Sequence, residues 1–168
     1  MLELKENQRH AIAFTLDGES VRGFAEPRML LSDFLRQELG RPEVHVGCEQ
    51  GVCGACTVLL DGRPARSCLV FAVQVSGRKV ETVRSLADTD EDLNDLQKSF
   101  RKRHALQCGY CTPGILVSTE AFLSKNKAPS ETEVREMLSG HICRCTGYAG
   151  MVDAVLETAK NRAGSDKA

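Results

Sequence analysis

Eight cysteines stand in this 168-residue chain, in two groups of four. Cys48, Cys53, Cys56 and Cys68 are separated by four, two and eleven residues. Cys108 and Cys111 lie in a C-G-Y-C stretch, and thirty-one residues later Cys143 and Cys145 form C-R-C. Thiolates gathered in short loops are soft ligands for zinc, copper(I) or iron–sulfur centres. Structural zinc usually pairs two short C-x(2–4)-C knuckles. C-x4-C-x2-C with a more distant cysteine is instead the plant-type [2Fe–2S] spacing. Gly47, Gly51 and Gly54 thread between the first three thiols. A loop wrapped round a cluster needs unusual φ and N–H groups aimed at sulfur, and glycine permits both.

The second group reads differently. Alternate positions of an extended segment point the same way, so C-x-C leaves its two thiols little freedom. C-x-x-C alone suits a thioredoxin-like redox pair. No βαβ pattern precedes it, however, and C-R-C would then go unexplained. Four thiolates again match one four-cysteine cluster.

Composition narrows the setting. The formal net charge is −1 and 42% of residues are hydrophobic. Near-neutral charge offers no footprint for nucleic acid or an anionic membrane. The N-terminal MLELKENQRH is too charged for a secretory core, and no apolar run approaches the ~20 residues of a membrane span. A cytoplasmic chain is expected, or one carried elsewhere by a partner. Cytosolic thiols stay reduced, so a disulfide framework is the weaker reading.

The elements that must hold these loops are legible in outline. Residues 10–16 and 20–25 alternate around Asp17-Gly18, a hairpin signal. Residues 29–39 carry apolar residues at helical spacing and stop at Gly40. After the first cysteine loop, Asp61-Gly62 and Ser76-Gly77 punctuate β-rich runs from Cys56 to Val83. A polar linker is expected over 78–90. Four helices follow. The spacing predicts 90–104, then 112–126 with Thr112 as N-cap and Pro113 opening the helix. It predicts 129–140 with a Ser130/Glu133 capping box and a stop at Gly140, then 150–162. The fold class is α+β, with a β-rich domain over 1–80 and a small helical bundle over 81–168.

Taken together, GCEQGVCGAC with Cys68, QCGYCTPG (107–114) and HICRCTGY (141–148) resemble the small iron–sulfur subunit of the xanthine oxidase family of molybdenum hydroxylases. The resemblance spans residues 8–160 and rests on two unrelated cysteine patterns in the right order. Its relatives include the small subunits of carbon monoxide dehydrogenase, quinoline and nicotine oxidoreductases, and 4-hydroxybenzoyl-CoA reductase. It implies an N-terminal ferredoxin-like (β-grasp) domain and a C-terminal four-helix-bundle domain, each with one [2Fe–2S] cluster held by its four cysteines. It implies a large partner subunit with a molybdopterin cofactor and a medium one with FAD, in a heterotrimer open to further dimerisation. The length suits the separate rather than the fused form. The implied role is electron transfer within an oxidoreductase: single electrons pass from the molybdenum centre through the helical-domain cluster, then the ferredoxin-like cluster, to FAD. The family pattern places Gln107 and Cys145 against the pterin, and Gly109 and Arg144 join the three loop glycines beside the sulfurs. No catalytic residue is expected in this chain.

Other residues carry plainer readings. Tyr110 reads as packing with a bonded hydroxyl rather than an electron conduit. His10, His45, His104 and His141 are not needed as Rieske-type ligands, since each set already has four cysteines. His141, beside C-R-C, reads as a surface loop residue, with a hydrogen bond to the cluster surroundings as the alternative. Arg101-Lys102-Arg103 reads as a solvated helix end, with a subunit ion pair second. Arg144 is a candidate for pairing with a partner's acid or for raising a cluster potential. Two other functions remain at this point: a free-standing two-cluster ferredoxin-type carrier, and a structural zinc module.

Overall fold

The computed structural model describes residues 4–87 and 92–165. Strands β1 (His10–Leu16) and β2 (Glu19–Ala25) form an antiparallel hairpin. Its turn places Asp17 at φ 49° and Gly18 at φ 87°, the geometry for which an Asp-Gly pair is suited. β3 (Thr57–Leu60) and β4 (Arg63–Arg66) form a second hairpin. β5 (Lys79–Glu81) lies between the two hairpins, parallel to β1 and antiparallel to β3, giving the order β2-β1-β5-β3-β4. Residues 79–81 stood where the expected β-rich run to Val83 and the expected linker overlap; they are the middle strand, as the first reading has it. Three residues are too few to show an alternating pattern. The rest of that expected linker, and the start of the helix expected from residue 90, lie partly outside the described residues.

Two other segments differ from expectation. The helix expected over 29–39 is a short α1 (Leu31–Asp33) running into a π-helical turn (Phe34–Glu38). Leu39 N–H bonds five residues back to Phe34 C=O at 3.1 Å. Apolar spacing does not separate α from π over so short a run. The apolar run after Cys68 is not strand but two 3₁₀ turns, Ser67–Leu69 and Ala72–Val75. Its backbone is spent on the segment that enters α1: Leu31 N–H donates to Val70 C=O at 2.7 Å, and Ala72 N–H to Met29 C=O at 2.8 Å. Ile12, Phe14, Leu16, Phe34, Leu35, Val58 and Val80 form the core beneath the sheet.

The second half holds α2 (Asp95–Lys102), α3 (Thr112–Lys125), α4 (Glu131–Ser139) and α5 (Tyr148–Ser165). Its separate core includes Leu96, Phe100, Ile115, Leu123, Val134, Leu138, Met151 and Val155. Asn94 caps α2 and receives the Gln97 side chain in return, which starts the helix later than periodicity suggests. Ser130 and Glu133 make the expected capping box on α4. Thr112 does not cap α3: Cys111 holds that position, and the Thr112 hydroxyl is buried without a partner. Arg162 of α5 staples three helices, donating to Asp95 at 2.6 and 2.7 Å and to Glu120 at 2.8 and 2.9 Å. A mixed helix–sheet fold results, with the sheet in the first half and α2–α5 in the second.

Candidate metal centres

The first cysteine loop runs from the π-helical turn to β3. Backbone at positive φ bends it at Glu49, Gly51 and Gly54. Gly51 and Gly54 thus meet the conformational expectation. Gly47 does not, as it lacks a positive φ. It is needed for space, since a Cβ there would lie 3.1 Å from Cys53 Sγ. The four thiols resolve into two pairs. Cys48 and Cys53 are half-buried and adjacent, with Cys53 N–H donating to Cys48 Sγ at 3.4 Å. The Cys53 and Gln50 backbone N–H groups pull the Cys48 thiol down to about 6. Cys56 and Cys68 form the inner, buried pair. Burial, followed by the neighbouring Cys56 thiol, pushes Cys68 up to about 11. Ser67 fastens this pair, donating from its hydroxyl to Cys56 C=O at 2.7 Å.

The second group repeats this outer–inner division on different elements. Cys108 and Cys111 end the loop before α3, and Cys143 and Cys145 lie between α4 and α5. Cys108 is exposed and neighbours Cys145; the Tyr110 backbone N–H, then the Cys145 thiol, lower its pKa. Cys111 is buried beside Cys143, and burial first, then that thiol, pushes it up to about 12. Cys143 Sγ accepts from Gly147 N–H at 3.5 Å. Gln107 Nε2 donates to Cys145 C=O at 3.3 Å, so the two residues expected to act together do meet. Among the described residues, no three His, Cys, Asp or Glu side chains gather as they would round one ion. Each set is arranged two and two.

The two loops also meet each other. Ile142 N–H donates to Cys53 C=O at 2.9 Å. Arg66 at the end of β4 donates to Gly140 C=O at 2.6 Å and to the Thr57 hydroxyl. Tyr110 is packed as expected in one respect, since its hydroxyl donates to Val46 C=O at 2.7 Å. Its ring is half-exposed and stacks on His45, 4.5 Å between centroids, while His45 Nδ1 meets Tyr110 C=O at 2.8 Å.

His141 is not a surface residue. It is 3% exposed, enclosed by Ser118 of α3 and by Gly54 of the first loop. Burial, with the Arg66 charge second, lowers it to about 4, so the ring is neutral; its Nδ1 has no partner. Lys102 and Arg103 are exposed, as expected of a solvated helix end, and both also pair with Glu157 of α5. Arg144 is exposed. Tyr148 was missed by sequence reasoning. Its hydroxyl accepts from Cys143 N–H at 2.8 Å and donates to His141 C=O at 3.1 Å, bracing the C-R-C turn from the first residue of α5. Its place three residues beyond Cys145 was the available signal.

Both cysteine sets fall within regions that match known families. A 2Fe-2S iron-sulfur cluster binding domain matches residues 14–87, and a [2Fe-2S] binding domain matches residues 82–156. The xanthine dehydrogenase iron-sulfur-binding subunit of Escherichia coli is 38% identical over 161 residues, covering 95% of this chain and 100% of that subunit. The chain belongs to the small iron–sulfur subunits of the xanthine oxidase family. This small subunit is also 47% identical over 149 residues to caffeine dehydrogenase subunit gamma of a Pseudomonas species, across 87% of this chain and 89% of that one. Among solved structures it is similar to quinoline 2-oxidoreductase from Pseudomonas putida: TM-score 0.86 at 49% identity, over 92% of this chain and 98% of that chain. The boundary between the two matched regions of the small subunit falls between its two cysteine sets.

Proposed function

We propose that this chain relays single electrons from a molybdopterin centre in a large partner subunit, through two [2Fe–2S] clusters, to FAD in a medium partner subunit. The two-and-two arrangement of both thiol sets, with their loops in contact, carries the reading. A [2Fe–2S] centre takes two thiolates on each of two irons, whereas a single zinc would draw four toward one point. Cys48 with Cys53, and Cys56 with Cys68, would serve the first cluster. Cys108 with Cys145, and Cys111 with Cys143, would serve the second. When bound, each cluster accepts and releases one electron.

The chain's own part is to hold, tune and shield. Donors at Cys53 and Gly147 aim N–H groups at sulfur, and such contacts raise a cluster's potential relative to bare thiolate ligation. Gly47, Gly51, Gly54 and Gly109 keep these turns narrow. The buried inner pairs keep water from one side of each cluster. Gln107 and Cys145 face outward together at the exposed rim of the second set, which suits contact with the pterin and makes the helical cluster the nearer to molybdenum. Exposed Arg144 is placed to meet a partner's acid. The finer architecture follows: a β-grasp ferredoxin-like domain over 1–80 and a four-helix-bundle domain over 81–168. No helix among the described residues is long and apolar enough to cross a membrane, and a cytoplasmic location is part of this proposal.

A free-standing ferredoxin is not favoured, because the relatives above are subunits. The test is EPR of the reduced, natively purified complex with metal analysis of the same sample. Two distinct [2Fe–2S] signals with molybdenum and partner chains are expected. Iron without molybdenum or partners would make the chain a free carrier. Zinc without iron would refute the cluster assignment.

A further inference from the structure

The loops that carry the two thiol sets touch through backbone as well as side chains. Gly114 lies in the first turn of α3, three residues beyond Cys111. A Cβ there would stand 2.2 Å from Gly54 C=O and 3.0 Å from Ala55 C=O, both within the stretch from Cys53 to Cys56. Gly54 is enclosed from the other side as well, since its own Cβ would meet His141 Nδ1 at 2.4 Å and Gly140 C=O at 2.9 Å. The Ile142–Cys53 backbone hydrogen bond joins the same segments one residue from Cys143. Backbone cannot rotate aside as a side chain can, so these contacts define a separation and not merely an attraction. Gly114 has ordinary helical backbone, because it is absent from the glycines at positive φ. Conformation alone would admit alanine there, and alanine is the better helix former. Only the approach of the first loop excludes it.

We propose that Gly114, packed against Gly54, is a positioning residue that sets the distance between the two clusters, and that this chain holds that distance without its partners. The inference rests on the two-cluster reading above. Electron transfer between the centres then depends on a spacer built into one polypeptide, and assembly with the other subunits leaves it unchanged.

The experiment measures the magnetic interaction of the two reduced clusters by pulsed EPR. It uses the full chain alone, the assembled complex, and Gly114→Ala and Gly150→Ala variants of both. Gly150→Ala is the control: its Cβ would lie 2.8 Å from Arg103 C=O, a milder backbone clash inside the helical half, away from the Gly114–Gly54 contact. In Gly114→Ala the 2.2 Å approach must open to at least 3.0 Å, so the inter-cluster distance lengthens and the coupling weakens, with both cluster signals retained. Gly150→Ala leaves the coupling at its wild-type value. The wild-type chain shows the same coupling alone and in the complex. Unchanged coupling in a cluster-loaded Gly114→Ala chain overturns the proposal. So does a wild-type coupling that appears only on assembly, and this comparison decides the matter if Gly114→Ala does not fold. Absence of two [2Fe–2S] signals from the wild type would refute the cluster reading itself, a separate outcome.

Discussion

Removing one oxygen atom tests how the C-R-C turn is held. Tyr148→Phe keeps the ring and its packing but deletes the hydroxyl that accepts from Cys143 N–H and donates to His141 C=O. Cys143 and His141 are 7% and 3% exposed, so water does not readily take the vacated place. Each lost hydrogen bond is worth about 1 kcal/mol, and a buried group left unpaired costs about 1–3 kcal/mol. Roughly 2–3 kcal/mol is therefore lost, and because the turn is local the loss falls mainly on its opening. Since ~1.4 kcal/mol is a factor of ten, opening becomes about 30- to 150-fold more frequent. The assay is cluster loss under an iron chelator, with the two centres followed separately by EPR. The second cluster is expected to decay faster by about that factor if opening limits release, while the first keeps its wild-type rate. Equal acceleration of both clusters, or of neither, would refute the idea that Tyr148 braces this turn in particular.

Arg162→Met removes the cation that joins α2, α3 and α5 and leaves Glu120, only 18% exposed, with the Asn94 side-chain amide but no cation. A loss of about 2–3 kcal/mol in chemical unfolding is expected at neutral pH, discounted from the fully buried case because Asp95 is half-exposed. Arg162 depresses the Asp95 pKa. That contribution is present above the unfolded carboxylate value of about 3.9 and disappears as pH falls through the folded one, so variant and wild type converge in acid. Cys53→Ser and Cys111→Ser should each remove one cluster and halve the iron. The first leaves the helical cluster reducible by substrate, whereas the second blocks substrate-driven reduction of everything beyond it. Flavin reduction at native rate in Cys111→Ser would reverse the relay order. Ser130→Ala should cost about 1 kcal/mol by thermal melt, through loss of the α4 cap.

Features carried by short stretches of chain are legible in the residues themselves. The C-x4-C-x2-C, C-x2-C and C-x-C spacings, the Asp17-Gly18 turn and the Ser130/Glu133 box each involve residues a few positions apart, where geometry follows from residue type. The failures share a different cause. β5 is three residues, Lys-Val-Glu, whose place between the two hairpins is decided by neighbours far away in the chain. The run from Leu69 to Val75 has strand-like composition, but its backbone is claimed by the segment that enters α1. His141 stands in what reads as an exposed loop and is buried by α3 and Gly54. Gly114 shows a third situation. Nothing in the sequence singles it out, because what excludes a side chain there, a carbonyl of the other loop, exists only in three dimensions.

The placement of β5 has a consequence for synthesis. The sheet is two hairpins, β1–β2 and β3–β4, with no pairing between them except through Lys79–Glu81. The last strand to be made is the one that goes in the middle. At about 5–20 residues per second, the first cysteine loop has left the catalytic centre of the ribosome one to several seconds before the segment that unites its flanking hairpins. Until β5 has emerged and paired, the two hairpins present sheet edges facing an empty slot, and edges of that kind invite foreign strands. Cluster insertion into the first loop therefore belongs after Lys79–Glu81 has paired with β1 and β3, when the slot has been filled from within.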